Sequence, residues 1–158
     1  MVNENEIKRY FTEYVTRAMT EMDIRPWYVA YYSEICDGTF RDYMRGVRLP
    51  RPTALIRMSD LFECSINELL GYGYFDSPNR GHFFDLGLET RKVAEYLFEQ
   101  VIHLMQKNGI TLSEVASRAE ITELTLQRYL ENPSLPDTSI ILRLADALDC
   151  TPSDLLGY

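Results

Sequence analysis

Leu-Phe-Glu-Cys-Ser-Ile-Asn-Glu-Leu-Leu-Gly-Tyr at residues 61–72 returns as Ala-Leu-Asp-Cys-Thr-Pro-Ser-Asp-Leu-Leu-Gly-Tyr at residues 147–158. The two stretches lie 86 residues apart, and the same offset holds upstream without a gap. It pairs Tyr10 with Tyr96, Val15 with Val101, Met19 with Met105, Ile24 with Ile110 and Val29-Ala30 with Val115-Ala116. It then pairs Ile35 with Ile121, Thr39 with Thr125, Tyr43 with Tyr129, Leu49-Pro50 with Leu135-Pro136, and Arg57 with Arg143. Roughly 30% of the pairs from 10/96 to 72/158 are identical, several times the chance level, and one fixed period of this kind means duplication. The expected organisation is two modules, 5–72 and 91–158, joined by a connector at 73–90. Gly73, Ser77-Pro78-Asn79, Gly81 and Gly87 give that connector turn chemistry. Its Tyr74, Phe75, Phe83, Phe84 and Leu86 are too apolar for a loose tether, so part of it should pack against a module. The repeat runs to Tyr158, so no separate catalytic or sensing domain is expected.

Each module reads as five short helices. In the second, Val93, Leu97, Val101, Leu104 and Met105 recur at three- and four-residue spacing, and Asn108-Gly109 supplies a stop. Thr111-Leu-Ser-Glu114 reads as a capping box opening a helix that buries Val115, Ala116 and Ala119. After a break near Glu120-Ile121, Thr122 caps a third helix with Leu126, Tyr129 and Leu130 inward. Asp137 or Thr138 caps a fourth helix, which buries Ile141, Leu144, Ala145 and Leu148. Thr151-Pro-Ser-Asp154 opens the last turn, with proline at the first helical position. In the first module Pro26 starts the second helix and Ser65-Ile-Asn-Glu68 is another capping box. Tyr14, Met22, Trp27, Tyr31, Tyr32 and Phe40 make that module bulkier and are expected in the core or between modules. Strand signals are missing, so the fold class is all-α.

Charge narrows the function. Lys and Arg number 16 against 24 Asp and Glu, a net charge of −8, and such a field disfavours blanket coating of nucleic acid or anionic membrane. The deficit is uneven. Residues 25–57 carry six arginines against three carboxylates, net +3, whereas residues 111–143 carry three arginines against five, net −2. Cys36, Cys64 and Cys150 are odd in number and widely spaced, which argues against a disulfide framework and for a reducing cytoplasm. His82 and His103 do not stand at ligand spacing, and no run reaches the length of a membrane span. No nucleophile–base set, phosphate loop or metal cluster is visible, so neither an enzyme nor a cofactor is expected.

The short helix, tight turn and second short helix form a helix-turn-helix. Val115-Ala116, Ile121, Leu126, Leu135-Pro136, Leu144-Ala145-x-x-Leu148 and Leu155-Leu156 together resemble the lambda Cro/repressor family, also called the xenobiotic-response-element (XRE) type. The resemblance extends to both modules, and implies two tandem five-helix lambda-repressor-like units. It departs from the family at two places. Pro26 and Leu112 stand where glutamine often opens the second helix, and Glu34 and Glu120 stand where the turn favours glycine, which predicts a reshaped turn.

In this family the third helix enters the major groove of double-stranded DNA. Carried over by position, the first module presents Cys36, Asp37, Gly38, Arg41, Asp42 and Arg45, and the second Thr122, Glu123, Leu124, Gln127, Arg128 and Glu131. Arginine binds guanine with two hydrogen bonds and glutamine does the same with adenine. The first module is the expected reader, with Arg41 and Arg45 on bases and Arg48 and Arg51 on phosphates. The alternative for those arginines is ion pairing with Asp37 and Asp42. The DNA-contact set is thus Arg41, Arg45, Arg48, Arg51, Gly38 and Asp37, with Gln127, Arg128 and Thr122 from the second module. The resemblance implies a cytoplasmic transcriptional regulator of bacterial or phage type, a repressor acting by operator occupancy. Two modules could imitate the two-fold of a dimer, on half-sites about one DNA turn apart. Alternatively the modules stack face to face and hide one recognition surface. The competing class is an antitoxin-like or anti-repressor-like interaction module, with the acidic second unit holding a homodimer mate or another protein.

Overall fold

A computed structural model describes residues 2–78 and 89–158. The described residues form ten helices and no strand. Asn3 starts α1 (Glu4–Met22) by accepting the Glu6 N–H at 3.2 Å. Pro26 occupies the first turn of α2 (Pro26–Tyr32), where a missing N–H costs nothing. Next come α3 (Asp37–Met44), α4 (Pro52–Leu61) and α5 (Ile66–Leu70). The second half holds α6 (Thr90–Asn108), α7 (Leu112–Arg118), α8 (Glu123–Glu131), α9 (Thr138–Ala147) and α10 (Pro152–Leu156). Each helix from α6 to α10 begins 86 residues after its counterpart in the first half, and only α8 ends one residue late.

The predicted caps explain most of these ends. Both the Ser65–Glu68 and Thr151–Asp154 boxes close reciprocally. At Thr111 the hydroxyl half forms, the side chain accepting the Glu114 N–H at 3.2 Å. Thr122 caps α8 as expected, and Asp137 rather than Thr138 is the residue before α9. Gly109 ends α6 in the left-handed region at φ 64°.

Burial follows the three- and four-residue spacing. α1 buries Ile7, Phe11 and Val15, and packs on α5; α6 buries Val93, Leu97 and Val101, and packs on α10. Ala30 and Ala116 are buried where α2 meets α3 and α4, and where α7 meets α8 and α9. The aromatic expectation fails in part. Phe40 is buried and Tyr14 and Tyr32 are half-buried, but Met22, Trp27 and Tyr31 are exposed, Trp27 by 62% and Tyr31 by 73%. For Trp27 and Tyr31 the reason is the length of α2: seven residues already commit Val29 and Ala30 to the core, and the side chains on the other side of the helix face water.

The halves meet through α5 and α10. The Asn67 N–H donates to Ser153 Oγ at 2.9 Å, and the Ser153 N–H donates to Asn67 Oδ1 at 2.9 Å. Asn67 Nδ2 donates to Thr151 Oγ1, and the Ile66 N–H to the Tyr158 carbonyl at 3.0 Å. Asn67 and Ser153 are buried, so these bonds meet the polar demand that burial creates. The start of the connector also touches the second half: Ser77 Oγ donates to the Gly157 carbonyl at 3.0 Å. Phe75 is half-buried but Tyr74 is exposed; Phe83, Phe84 and Leu86 lie outside the described residues.

Candidate nucleic-acid interface

The turn between α2 and α3 keeps the left-handed step that glycine would favour. Glu34 has φ 56° and Glu120 φ 57°, and the next amide closes each turn: Ile35 N–H to the Ala30 carbonyl, Ile121 N–H to the Ala116 carbonyl, both 3.0 Å. The predicted reshaping therefore does not occur. A side chain at positive φ carries a steric cost, which the closing hydrogen bond and the buried alanine override.

Arginines of α4 and α9 brace these turns. Arg57 pairs with Glu34 at 3.2 Å, and Arg143 Nε donates to the Ala119 carbonyl at 2.9 Å. On the first-half side Tyr32 also donates its hydroxyl to Asp60, and burial together with that bond raises its pKa. The first turn is thus tied to α4 by two side-chain links.

Cys36 opens α3, its sulfur accepting the Thr39 N–H at 3.4 Å. Phe40 and Tyr43 are buried, which fixes the rotation of the helix and sends Asp37, Gly38, Arg41 and Arg45 to solvent. Among the described residues neither Arg41 nor Arg45 takes part in an ion pair. Of the four arginines for which pairing with Asp37 or Asp42 was the alternative, Arg48 takes Asp42, at 2.9 Å on the surface. Arg51 is exposed just before α4, its backbone N–H donating to the Tyr43 hydroxyl at 3.3 Å.

α8 has the same rotation and different chemistry. Leu126 is buried, so Glu123, Leu124, Gln127, Arg128 and Glu131 face out. Thr122 spends its hydroxyl on the cap, accepting the Thr125 N–H at 3.0 Å. Gln127 Nε2 donates to Glu131 at 3.2 Å, while Arg128 forms no ion pair among the described residues. The surface around α8 is acidic, because Glu114, Glu120, Glu123 and Glu131 are all exposed. The named outward residues of both helices are exposed with the other half in place.

The exposed aromatic face of α2 holds Trp27 and Tyr31, which were expected in the core or between modules. Tyr28 packs edge-on against Trp27 at 5.7 Å and lies 6.3 Å from Tyr31. The signal was available: with Val29 and Ala30 inward, residues 27, 28 and 31 are forced outward.

Among the three thiols only Cys36 is exposed, and the bonds from Thr39 hold its pKa below the usual thiol value. Cys64 is buried, and burial pushes Cys150 up to about 12. Among the described residues no group of three His, Cys, Asp or Glu is placed to hold a metal ion, and no helix is long and apolar enough to cross a membrane.

Residues 101–158, from the middle of α6 through α10, match the family model of the Cro/C1-type HTH DNA-binding domain. No curated protein and no solved structure matches the chain. The match falls on the acidic half, and the more basic half lies outside it. The second half of the chain is therefore similar to a Cro/C1-type domain, a likeness that supports an XRE-like, DNA-binding helix-turn-helix protein.

Proposed function

We propose that the chain is a sequence-specific transcriptional regulator made of two helix-turn-helix modules, 5–72 and 91–158, that acts by occupying an operator rather than by catalysis. One observation carries this reading. The helices of the segment matching the Cro/C1-type domain recur at the 86-residue offset in the first half, where α3 holds Arg41 and Arg45 outward and without an ion pair among the described residues. A guanidinium already locked to a carboxylate must break that bond before binding a base edge; these two pay no such cost. Arg48 and Arg51 follow the helix and supply phosphate contacts, while Asp37 and Gly38 sit at the helix start, near the base edges.

In the second module Gln127 and Arg128 are the base readers and Thr122 serves the cap. The acidic surface beside them weakens phosphate contact, so α3 dominates affinity. Titrating labelled duplex into the full chain by fluorescence anisotropy tests this. The reading fails if the protein shows no salt-dependent binding at low ionic strength, or if R41A/R45A binds as the parent does.

The second reading is an antitoxin-like or anti-repressor-like interaction module. The four exposed glutamates on and beside α7–α8 favour it, since they suit a basic protein partner better than phosphate.

A further inference from the structure

The α5–α10 contact has the geometry of an axis. Asn67 and Ser153 are counterparts under the 86-residue offset, and each donates its backbone N–H to the other's side chain, both at 2.9 Å. A residue can bond its own counterpart reciprocally only where a two-fold relates the two halves. The flanking clefts obey the same operation. One lies between Glu4, residues 47–51 and residues 137–139; the other lies between Thr90, residues 132–137 and residues 51–53. Shifting either set by 86 residues reproduces the core of the other. The interface is not an exact dyad, and its departures have chemical causes. The Ile66 N–H reaches the Tyr158 carbonyl, but its mate would start from Pro152, which has no N–H. Thr138 donates its hydroxyl to the Pro50 carbonyl, and its counterpart Pro52 has none to give.

Two-fold placement of the halves carries two unlike readers. Arg41 corresponds to Gln127, Arg45 to Glu131, and Gly38 to Leu124. A homodimer built on this scaffold would present identical helices and read a palindrome. We infer that one chain acts as its own dimer and takes an inverted-repeat duplex whose half-sites differ. The half-site under α3 carries guanine where the half-site under α8 carries adenine, because guanine O6 and N7 accept both bonds of Arg41, and adenine N6 and N7 satisfy the amide of Gln127. This rests on the DNA-binding reading above and specifies its ligand.

The test is selection of the full chain on a random duplex pool, followed by sedimentation to count chains per duplex. One chain per duplex and an asymmetric consensus are expected. Duplexes made symmetric for either half-site should bind about 5- to 100-fold more weakly than the selected one, the usual range for a mismatched base pair. R41Q, an exposed change that circular dichroism will show to be folded, should prefer the duplex symmetric for adenine. Two chains per duplex, or a symmetric duplex binding at least as tightly, overturns the inference and leaves the DNA-binding reading standing. No binding to any duplex overturns both.

Discussion

The two turn-and-helix units share a backbone and differ in almost every residue that faces water. α2–α3 and α7–α8 start 86 residues apart, both turns pass through a glutamate at positive φ, and both bury an alanine at the helix crossing. Outward, one shows Arg41 and Arg45 without ion-pair partners among the described residues, while the other shows Gln127 bonded to Glu131. Packing tolerates little change in volume, so the inward residues of a duplicated chain stay alike. Surface residues answer to whatever they touch, and the contrast indicates two different contacts. The family-model match falls on the acidic unit, whereas charge favours the other.

The largest effect should come from breaking that contrast at the readers. R41A/R45A should lose about 30-fold or more in duplex affinity, at roughly 1–3 kcal/mol for each of the two lost base contacts. Q127A/R128A should lose less, because Gln127 must first give up Glu131. Anisotropy titrations at two salt concentrations check both. Removal of Arg48 should instead lower the salt slope by about one and leave sequence preference intact, with its surface pair to Asp42 worth at most about 1 kcal/mol.

Thiol chemistry sharpens the comparison next. Iodoacetamide at neutral pH should modify Cys36 well before Cys150 and Cys64, because only the first is exposed and its thiolate is favoured. Raising the pH through the Cys36 pKa should speed its labelling, while Cys150, pushed up to about 12, stays protonated and slow. Since Cys36 caps the α3 helix, its alkylation should weaken duplex binding and bound duplex should slow the alkylation. Peptide mass mapping with and without duplex reads both.

How much of this was legible in the sequence depends on how local the cause was. Helix starts were, because Ser65, Thr122 and Thr151 act within four residues of themselves. Inward positions were too, through the spacing of residues such as Val93, Leu97 and Val101. The exposed face of α2 was missed because aromatic residue type was weighed above helix geometry. The Asn67–Ser153 bonds were beyond reach: both residues sit inside capping boxes, and nothing local says that one box will meet the other. Ion pairing of the arginines with Asp37 or Asp42 was legible as an alternative, but that Arg48 is the one to take Asp42 was not, since it depends on how the chain turns after α3.

A buried hydroxyl separates the two turns in stability. Ser33 is 3% exposed and its Oγ has no hydrogen-bond partner among the described residues; its counterpart Ala119 fills the same place without a polar atom. An unsatisfied buried hydroxyl costs about 1–3 kcal/mol. S33A should therefore stabilise the protein by about 1 kcal/mol and A119S should destabilise it by a similar amount, both measured by urea unfolding. Equal and opposite shifts would show that the two turns share one environment.

The smallest effect lies in the turn glutamates, where one substitution should act differently in the two units. Both sit at positive φ, where a side chain costs about 1 kcal/mol that glycine avoids, offset in part by the greater freedom glycine has when unfolded. For Glu120 that trade leaves a net gain, so E120G should raise the thermal midpoint by a degree or a few, on the scale of about 0.5 kcal/mol. For Glu34 the same relief is set against the pair with Arg57, whose side chain is only 17% exposed and so is poorly placed to find water instead. E34G should then leave the midpoint unchanged or lower it. A double-mutant cycle with R57A separates the two terms: in the R57A background, E34G should recover the gain seen for E120G. If E34G and E120G give equal gains with Arg57 present, the Glu34–Arg57 pair contributes nothing and the first turn holds its shape by its backbone bonds and the Tyr32–Asp60 link.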